Sequence, residues 1–167
     1  MGKTKLHPGA KWMFRLSSYS VGLFIAIWIG IFLGGVLSSF IGTTGIVLSI
    51  LFIVIITIAI GEIYTQMAYN RWFYEFTDSE LKIERGIIWK KYSNIPYERI
   101  QNVDVTRGII ARMFGFSTVN IQTAGYSAMY RSGARSEGYL PAVSIEKAEK
   151  IRDFLMKKIT GKKTGGL

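Results

Sequence analysis

The chain has 167 residues, of which 21 are basic and 11 acidic, so its formal net charge at pH 7 is +10. It contains no cysteine, which excludes disulfides, thiolate metal sites and cysteine nucleophiles. Apolar residues make up 49% of the chain, but this average combines a membrane-like segment with an ordinary soluble composition.

The first predicted element is a long segment without any charge. Residues 16–61 contain no Asp, Glu, Lys or Arg. As a helix this segment would measure roughly 69 Å, against a hydrocarbon core of about 30 Å, so it can cross a bilayer twice. Glycine and hydroxyl residues at 38–45 favour a tight reversal. We therefore predict a transmembrane helical hairpin with helices at about 17–41 and 45–66.

Small residues recur at every fourth position of the first helix, a spacing that lets another helix approach closely in lipid. The second helix repeats this spacing more weakly. The two ridges can face each other within one chain, or the first ridge can mediate dimerisation, and the sequence does not separate these alternatives. The predicted helix-packing residues are Gly22, Ala26, Gly30, Gly34 and Ser38.

Basic residues flank the hairpin, whereas its turn is uncharged. Lys3, Lys5, Lys11 and Arg15 precede it, and the region from Glu62 onward carries 17 basic and 11 acidic residues. The positive-inside rule then predicts a multi-pass protein of the plasma membrane with both termini in the cytoplasm. This charge suits a membrane surface, and because basic and acidic residues are intermixed, we expect no nucleic-acid partner.

Beyond the hairpin, the hydrophobic pattern becomes alternating. Alternating runs separated by turn residues predict short antiparallel strands, and the third run starts after Gly86 with residues 87–92. The end of the chain returns to helical spacing, with Ser144 as N-cap and an apolar face over 148–159. Six or seven strands followed by a helix predict an α+β domain, a small barrel or sandwich whose open end the helix covers.

Three motifs follow one another in this region. They are W-x-Y-x-x-T-D-x-x-L-x-I-x-x-G at 72–86, I-P-Y-x-R-I-Q-x-V at 95–103 and A-R-x-F-G-x-x-T-V-x-I-x-T-A-G at 111–125. Behind a two-helix anchor, this order resembles the membrane-anchored bacterial pleckstrin-homology-like family (bPH2, YdbS-like), over about residues 12–160. The resemblance implies a strongly bent antiparallel β-barrel of about seven strands with a C-terminal α-helix. It also implies recognition rather than catalysis. We expect no cofactor.

The resemblance does not supply a ligand. The eukaryotic phosphoinositide-binding version of this fold uses clustered Lys and Arg in the loop between its first two strands. The corresponding loop of this chain, residues 77–80, reads Thr-Asp-Ser-Glu and is acidic. We therefore do not expect phosphoinositide binding at that loop.

The candidate binding surface is the segment 125–138, where aromatic residues alternate with arginines among glycines and serines. This composition suits a membrane interface or a protein partner, and a mobile hairpin loop is the alternative. No catalytic residue or metal site is predicted. Candidate binding residues are Tyr126, Met129, Tyr130, Arg131 and Arg135, with secondary basic contacts at Lys90, Lys91, Arg107 and Arg112.

Together these features predict a membrane-anchored cytoplasmic interaction module, not an enzyme, that recruits or organises membrane protein partners or associates with itself. The alternative is a sensor of anionic lipid headgroups at the inner leaflet. Transport is disfavoured because the spans lack an ionisable residue that would mark a pathway. The predicted organisation is a basic tail at 1–15, the hairpin at 16–66, a PH-like domain at 67–160 and a disordered tail at 161–167.

Overall fold

The computed structural model of the protein describes residues 2–124 and 138–163. The chain divides into two compact units. One unit comprises residues 11–68 and contains the helical hairpin. The other combines the segments on either side of the hairpin, which are residues up to 10 and residues from 69 onward.

Two long helices form the hairpin, α1 (Ala10–Ile41) and α2 (Thr43–Asn70), and both are long and apolar enough to cross a membrane. Gly42 adopts φ +62°, a left-handed conformation that favours glycine, and its N–H donates to the Ser38 carbonyl at 2.9 Å. Both helices continue beyond the predicted spans of 17–41 and 45–66. They can do so because helical hydrogen bonds are made within the segment, in lipid and in water alike.

The small residues of α1 face α2 of the same chain. Gly34 is buried, and the other four positions of the predicted ridge are half-buried. A Cβ atom built on Gly22 would lie 2.7 Å from Cγ2 of Thr57, and one on Gly34 would lie 3.2 Å from Oγ of Ser49. The two helices therefore approach so closely that larger side chains at these positions would collide.

A polar cluster joins α1 and α2 at the open end of the hairpin, opposite the turn at Gly42. Nη2 of Arg15 donates to Oε2 of Glu62 at 2.8 Å, and the hydroxyl of Tyr19 donates to Oε1 of Glu62 at 2.6 Å. Both oxygens of this carboxylate on α2 are therefore held by α1. Such bidentate, charge-assisted contacts fix the register of the two helices.

The first sheet of the other unit has the strand order β1-β2-β3-β4, with antiparallel neighbours. Its alternation places Tyr74, Leu81, Ile83 and Ile95 in the core. The strands are β1 (Thr4–Lys5), β2 (Phe73–Phe76), β3 (Glu80–Arg85) and β4 (Lys91–Pro96).

The second sheet is antiparallel in the order β5-β6-β7, and the last helix packs with it. Phe116, Leu140 and Leu155 are almost fully buried in the shared core. The elements are β5 (Ile100–Thr106), α3 (Ile109–Met113), β6 (Phe116–Thr123), β7 (Gly138–Ser144) and α4 (Ile145–Lys163).

The first ten residues belong to this domain, whereas the sequence predicts a basic tail over 1–15. Leu6 is only 3% exposed, its carbonyl accepts a hydrogen bond from the Tyr69 hydroxyl at 3.2 Å, and the His7 N–H donates to the Ala142 carbonyl at 3.0 Å. The sequence does not reveal this because a two-residue strand is too short to show alternation.

The third predicted strand begins later than the pattern indicates. Residues 87–92 are predicted to start it, but the strand runs over Lys91–Pro96, and Arg85 pairs with Lys91 across a five-residue loop at 86–90. Gly86 has φ +118°, and a Cβ atom there would collide with the carbonyl oxygen of Trp89. This turn places the apolar residues that follow Gly86 in a loop rather than in a strand.

The predicted fold class is confirmed: a helical hairpin is followed by antiparallel β-structure and a C-terminal helix. Within the described part of the chain, the strands form two separate sheets rather than one closed barrel. The helix α4 extends to Lys163, which is three residues into the disordered tail predicted at 161–167. Residues 164–167 lie outside the described residues.

Candidate binding cleft

The predicted binding loop cannot be placed in the fold. Its candidate residues, Tyr126, Met129, Tyr130, Arg131 and Arg135, all lie outside the described residues.

The four secondary basic residues fall into two groups. Lys90 and Lys91 lie at the loop between β3 and β4 of the first sheet. Arg107 follows β5 of the second sheet, where Nε donates to Ser117 Oγ at 2.9 Å and Nη2 donates to Glu149 at 3.1 Å. Arg112 Nε donates to the Arg107 carbonyl at 3.3 Å. The two arginines thus make contacts at the second sheet and α4, whereas the two lysines belong to the first sheet.

A cleft of about 480 Å³ lies between α4 and the first sheet. Five of its lining residues come from α4, and the opposite wall is formed by β2, by the turn that follows it and by Thr4 of β1. We call it the α4 cleft. Its volume falls within the range of about 300–1,000 Å³ that is typical of ligand sites.

The floor of the α4 cleft is aromatic. The Phe76 and Phe154 rings meet edge to face, with centroids 6.1 Å apart and an interplanar angle of 84°. Tyr74 packs on Phe76 in the same manner at 6.0 Å, and Tyr97 packs on Phe154 from behind at 5.6 Å. Edge-to-face contacts fix the ring orientations, yet Phe154 stays 39% exposed and can still accept an apolar contact.

The rim of the α4 cleft is basic. Lys147, Lys150 and Lys158 line it, and Asp78 is the single acidic side chain among the lining residues. The three lysines share one helical face with Phe154, since positions 147, 150, 154 and 158 repeat at steps of three or four. Neither Lys147 nor Lys150 forms an ion pair with a residue that the structure describes.

Lys158 differs from the other two lysines because it lies over the aromatic floor. Its Nζ is 5.8 Å from the Phe154 ring centroid and 6.0 Å from that of Tyr97. Such cation–π contacts hold the ammonium group near the rings without neutralising its charge. The cleft therefore carries a positive charge directly beside exposed aromatic surface.

Tyr97 supports the wall of the α4 cleft from the interior. Its hydroxyl donates to the Thr77 carbonyl at 2.6 Å, and its N–H donates to the Ser79 carbonyl at 3.0 Å. Burial raises the pKa of Tyr97 to about 12, with a further contribution from the negative charges of Asp78 and Glu80. Burial also raises the pKa of Tyr74. Both phenols therefore stay neutral at physiological pH and act as packing groups.

The sequence does not predict this cleft. The interpretation of α4 relied on its buried face over 148–159, whereas the cleft uses an adjacent face of the same helix. The repeat of Lys147, Lys150 and Lys158 around Phe154 is the one signal that could have indicated it. Which β-strand lies opposite that face depends on tertiary packing. Across residues 2–124 and 138–163, no three His, Asp or Glu side chains are grouped as metal ligands.

Known proteins resemble this chain in sequence. The sequence model of the bacterial PH domain family matches residues 20–159 of this chain. UPF0699 transmembrane protein YdbT of Bacillus subtilis (strain 168) is 31% identical over 113 residues, and UPF0699 transmembrane protein YdbS of the same organism is 29% identical over 93 residues. These matches cover 68% and 56% of this chain, but only 20% of YdbT and 52% of YdbS. No solved structure shows a significant match.

The family match spans both the hairpin and the β-domain, which is the combination that the structure shows. Both relatives are named as transmembrane proteins, and the two long helices of this chain expose many large apolar side chains and are apolar enough to cross a membrane. The chain therefore belongs to the bacterial PH domain family and, like these relatives, is a membrane protein.

Proposed function

We propose that the protein is a membrane-anchored binding domain whose α4 cleft takes an acidic segment of a membrane protein partner, with an apolar side chain seated against Phe154. One observation carries this proposal: Lys147 and Lys150, which have no ion-pair partner among the described residues, stand beside a half-exposed aromatic floor. A partner that supplies carboxylates and one apolar side chain would satisfy both features at once.

The chemistry of the α4 cleft favours a peptide over a phosphate. Lysine binds phosphate as a point charge, and sites that are specific for phosphate add arginine forks or converging backbone N–H groups that match the geometry of the oxygens. The described lining has lysines but no arginine, and its floor consists of aromatic rings and Ile151. Lysines act as point charges at the rim, and aromatic side chains are enriched at the centres of protein interfaces.

The anchor gives this binding its physical advantage. A domain held at the membrane meets membrane partners at a high effective concentration, so weak contacts suffice. We infer that both ends of the hairpin lie in the cytoplasm. This is supported by the pairing of β1 with β2, the strands that flank the hairpin in sequence, and by the basic residues at 3–15.

Photo-crosslinking of the full-length protein in native membranes tests the binding role. A photoreactive phenylalanine analogue at position 154 should yield an adduct with one membrane protein, and peptide mapping should place the adduct in an acidic segment. The double substitution K147E/K150E should abolish this adduct, because it reverses the charge of the rim. The matched control is K157E on the same helix, since Lys157 does not line the cleft.

Two outcomes would refute the proposed binding role. One is an adduct with lipid alone. The other is a protein adduct that persists equally in K147E/K150E and K157E, because the rim charge would then have no part in recognition.

A separate experiment tests the topology. Because the chain contains no cysteine, each introduced cysteine is the single site that a thiol reagent can label. With the protein in intact cells, a membrane-impermeant maleimide should label S39C, in the last turn of α1 before Gly42, and should label G2C only after permeabilisation. Labelling of G2C in intact cells would refute the cytoplasmic location of the N-terminus.

A further inference from the structure

The loop between β3 and β4 presents two large apolar side chains to solvent. Trp89 is 88% exposed and Ile88 is 85% exposed, which makes them the most exposed large apolar side chains in the part of the chain that the structure describes. Water contact with so much apolar surface is unfavourable. Adjacent exposed residues of this kind mark an interaction surface more often than scattered single ones do.

The backbone of this loop is held in one shape. Gly86 takes φ +118°, and the carbonyl oxygen of Trp89 occupies the space where a Cβ atom would stand. Nη1 of Arg71 donates to the Ile87 carbonyl at 2.9 Å. The two apolar side chains are therefore presented by a defined turn, so a binding partner would not have to order the loop first.

Positive charge adjoins the apolar tip. Lys90 and Lys91 follow Trp89 directly. Lys90 shares the Glu84 carboxylate with Lys3, because Nζ of Lys90 is 3.9 Å from one oxygen and Nζ of Lys3 is 2.8 Å from the other. Lys91 has no ion-pair partner among the described residues. The loop therefore carries net positive charge next to an exposed tryptophan.

The chain itself indicates what covers this surface. Arg71, which holds the loop through Ile87, is the first residue after α2, the second of the two membrane-length helices. Tryptophan is enriched at the membrane–water interface, and lysines near the surface are attracted to anionic lipids. A bilayer surface with anionic headgroups would cover the apolar tip and attract the lysines. The helix α2 brings the chain to such a surface one residue before Arg71.

We propose that the loop 86–90 inserts Ile88 and Trp89 into the headgroup region of the leaflet at which the domain is anchored. Lys90 and Lys91 pair there with anionic headgroups. This contact is separate from the α4 cleft and does not depend on what that cleft binds. It gives the domain a second contact with the bilayer in addition to the hairpin, and two contacts favour one orientation over others.

Environment-sensitive fluorescence tests this contact in the full-length protein. Because the chain lacks cysteine, I88C can be labelled with an NBD fluorophore at one position only. The labelled protein is reconstituted in phosphatidylcholine vesicles, with or without phosphatidylglycerol and with or without nitroxide-labelled lipid. K157C, an exposed position on α4, is the matched control. Position 88 lies on an exposed loop, so the substitution leaves the core intact.

We expect NBD emission at position 88 to shift to shorter wavelength and to be quenched by nitroxide lipid, more strongly when phosphatidylglycerol is present. The K90Q/K91Q substitutions or high salt should remove that additional quenching, since both weaken attraction to the anionic surface. Equal quenching at positions 88 and 157 would overturn the proposal. So would quenching at position 88 that does not change with phosphatidylglycerol. Absence of quenching at position 88 would instead point to a protein partner for this loop and would also overturn it.

Discussion

Thr4 lies directly opposite Tyr74 in an antiparallel sheet, although the whole hairpin separates the two residues in sequence. The membrane anchor is thus inserted between two neighbouring strands of the unit that contains the two sheets. A fragment that starts after α2 would lack β1 and would leave the edge of β2 unpaired, so the domain is properly tested only in the full-length chain.

Leu6 should make the N-terminal segment essential for domain stability. We expect L6A to lower the free energy of unfolding of the domain by about 2–5 kcal/mol, because it removes a nearly fully buried side chain. Chemical denaturation of the full-length protein in detergent, followed by tryptophan fluorescence, measures this change. G2A is the control, since a Cβ atom at Gly2 meets nothing within 4 Å. A similar effect of both substitutions would contradict the packing of the segment.

Gly34 and Gly35 form a matched pair for the contact between α1 and α2. A Cβ atom on Gly34 would lie 3.2 Å from Ser49 Oγ, whereas one on Gly35 meets nothing within 4 Å. We expect G34L to destabilise the hairpin by about 1–3 kcal/mol through overpacking and G35L to be neutral. Unfolding in sodium dodecyl sulfate, monitored by circular dichroism, compares them. If G35L had the larger effect, the helix-packing face would have to be reassigned.

Tyr97 should contribute through its hydroxyl as well as through its ring. Y97F keeps the edge-to-face contact with Phe154 but removes the donor to the Thr77 carbonyl. We expect a loss of about 0.5–1.5 kcal/mol at neutral pH, the usual contribution of one hydrogen bond. Denaturation at pH 7 provides the measurement, and an unchanged midpoint would show that water replaces the lost bond.

The same residue should make the domain sensitive to alkali. The pKa of Tyr97 is about 12 in the folded protein and 10.0 when unperturbed. Its contribution to stability is thus fully present below pH 10 and is lost as pH rises towards 12, because the unfolded chain releases this proton first. In that range the denaturation midpoint of wild type should fall more steeply than that of Y97F. Parallel curves would contradict the raised pKa.

Gly86 should be required for the turn that carries Trp89. We expect G86A to cost about 1–3 kcal/mol, because alanine is strained at this φ and its Cβ would collide with the Trp89 carbonyl. At Gly108, φ is −72° and a Cβ atom meets nothing within 4 Å, so G108A should cost less than about 1 kcal/mol. Thermal unfolding of the two variants in detergent compares them, and equal melting temperatures would contradict the strained turn.

Properties that follow from local composition were predictable from the sequence. The charge-free run at 16–61 is too apolar and too long to be stable in contact with water, and this holds independently of the rest of the chain. It therefore predicts two apolar helices. The alternation around Leu81 and Ile83, and the helical repeat of Ala148 and Leu155, each report one buried face of one element. These patterns are local, which is why the fold class is confirmed.

Properties that depend on contacts between distant segments required the tertiary structure. Thr4 pairs with Tyr74 because Leu6 and His7 find partners in the β-domain, and no local pattern encodes such a pairing. Phe154 belongs to a cleft only because Phe76 lies opposite it, and Ile88 is exposed only because Gly86 turns the chain away from the sheet. Burial in a fold depends on which surfaces meet, and a one-dimensional pattern records only which surfaces are apolar.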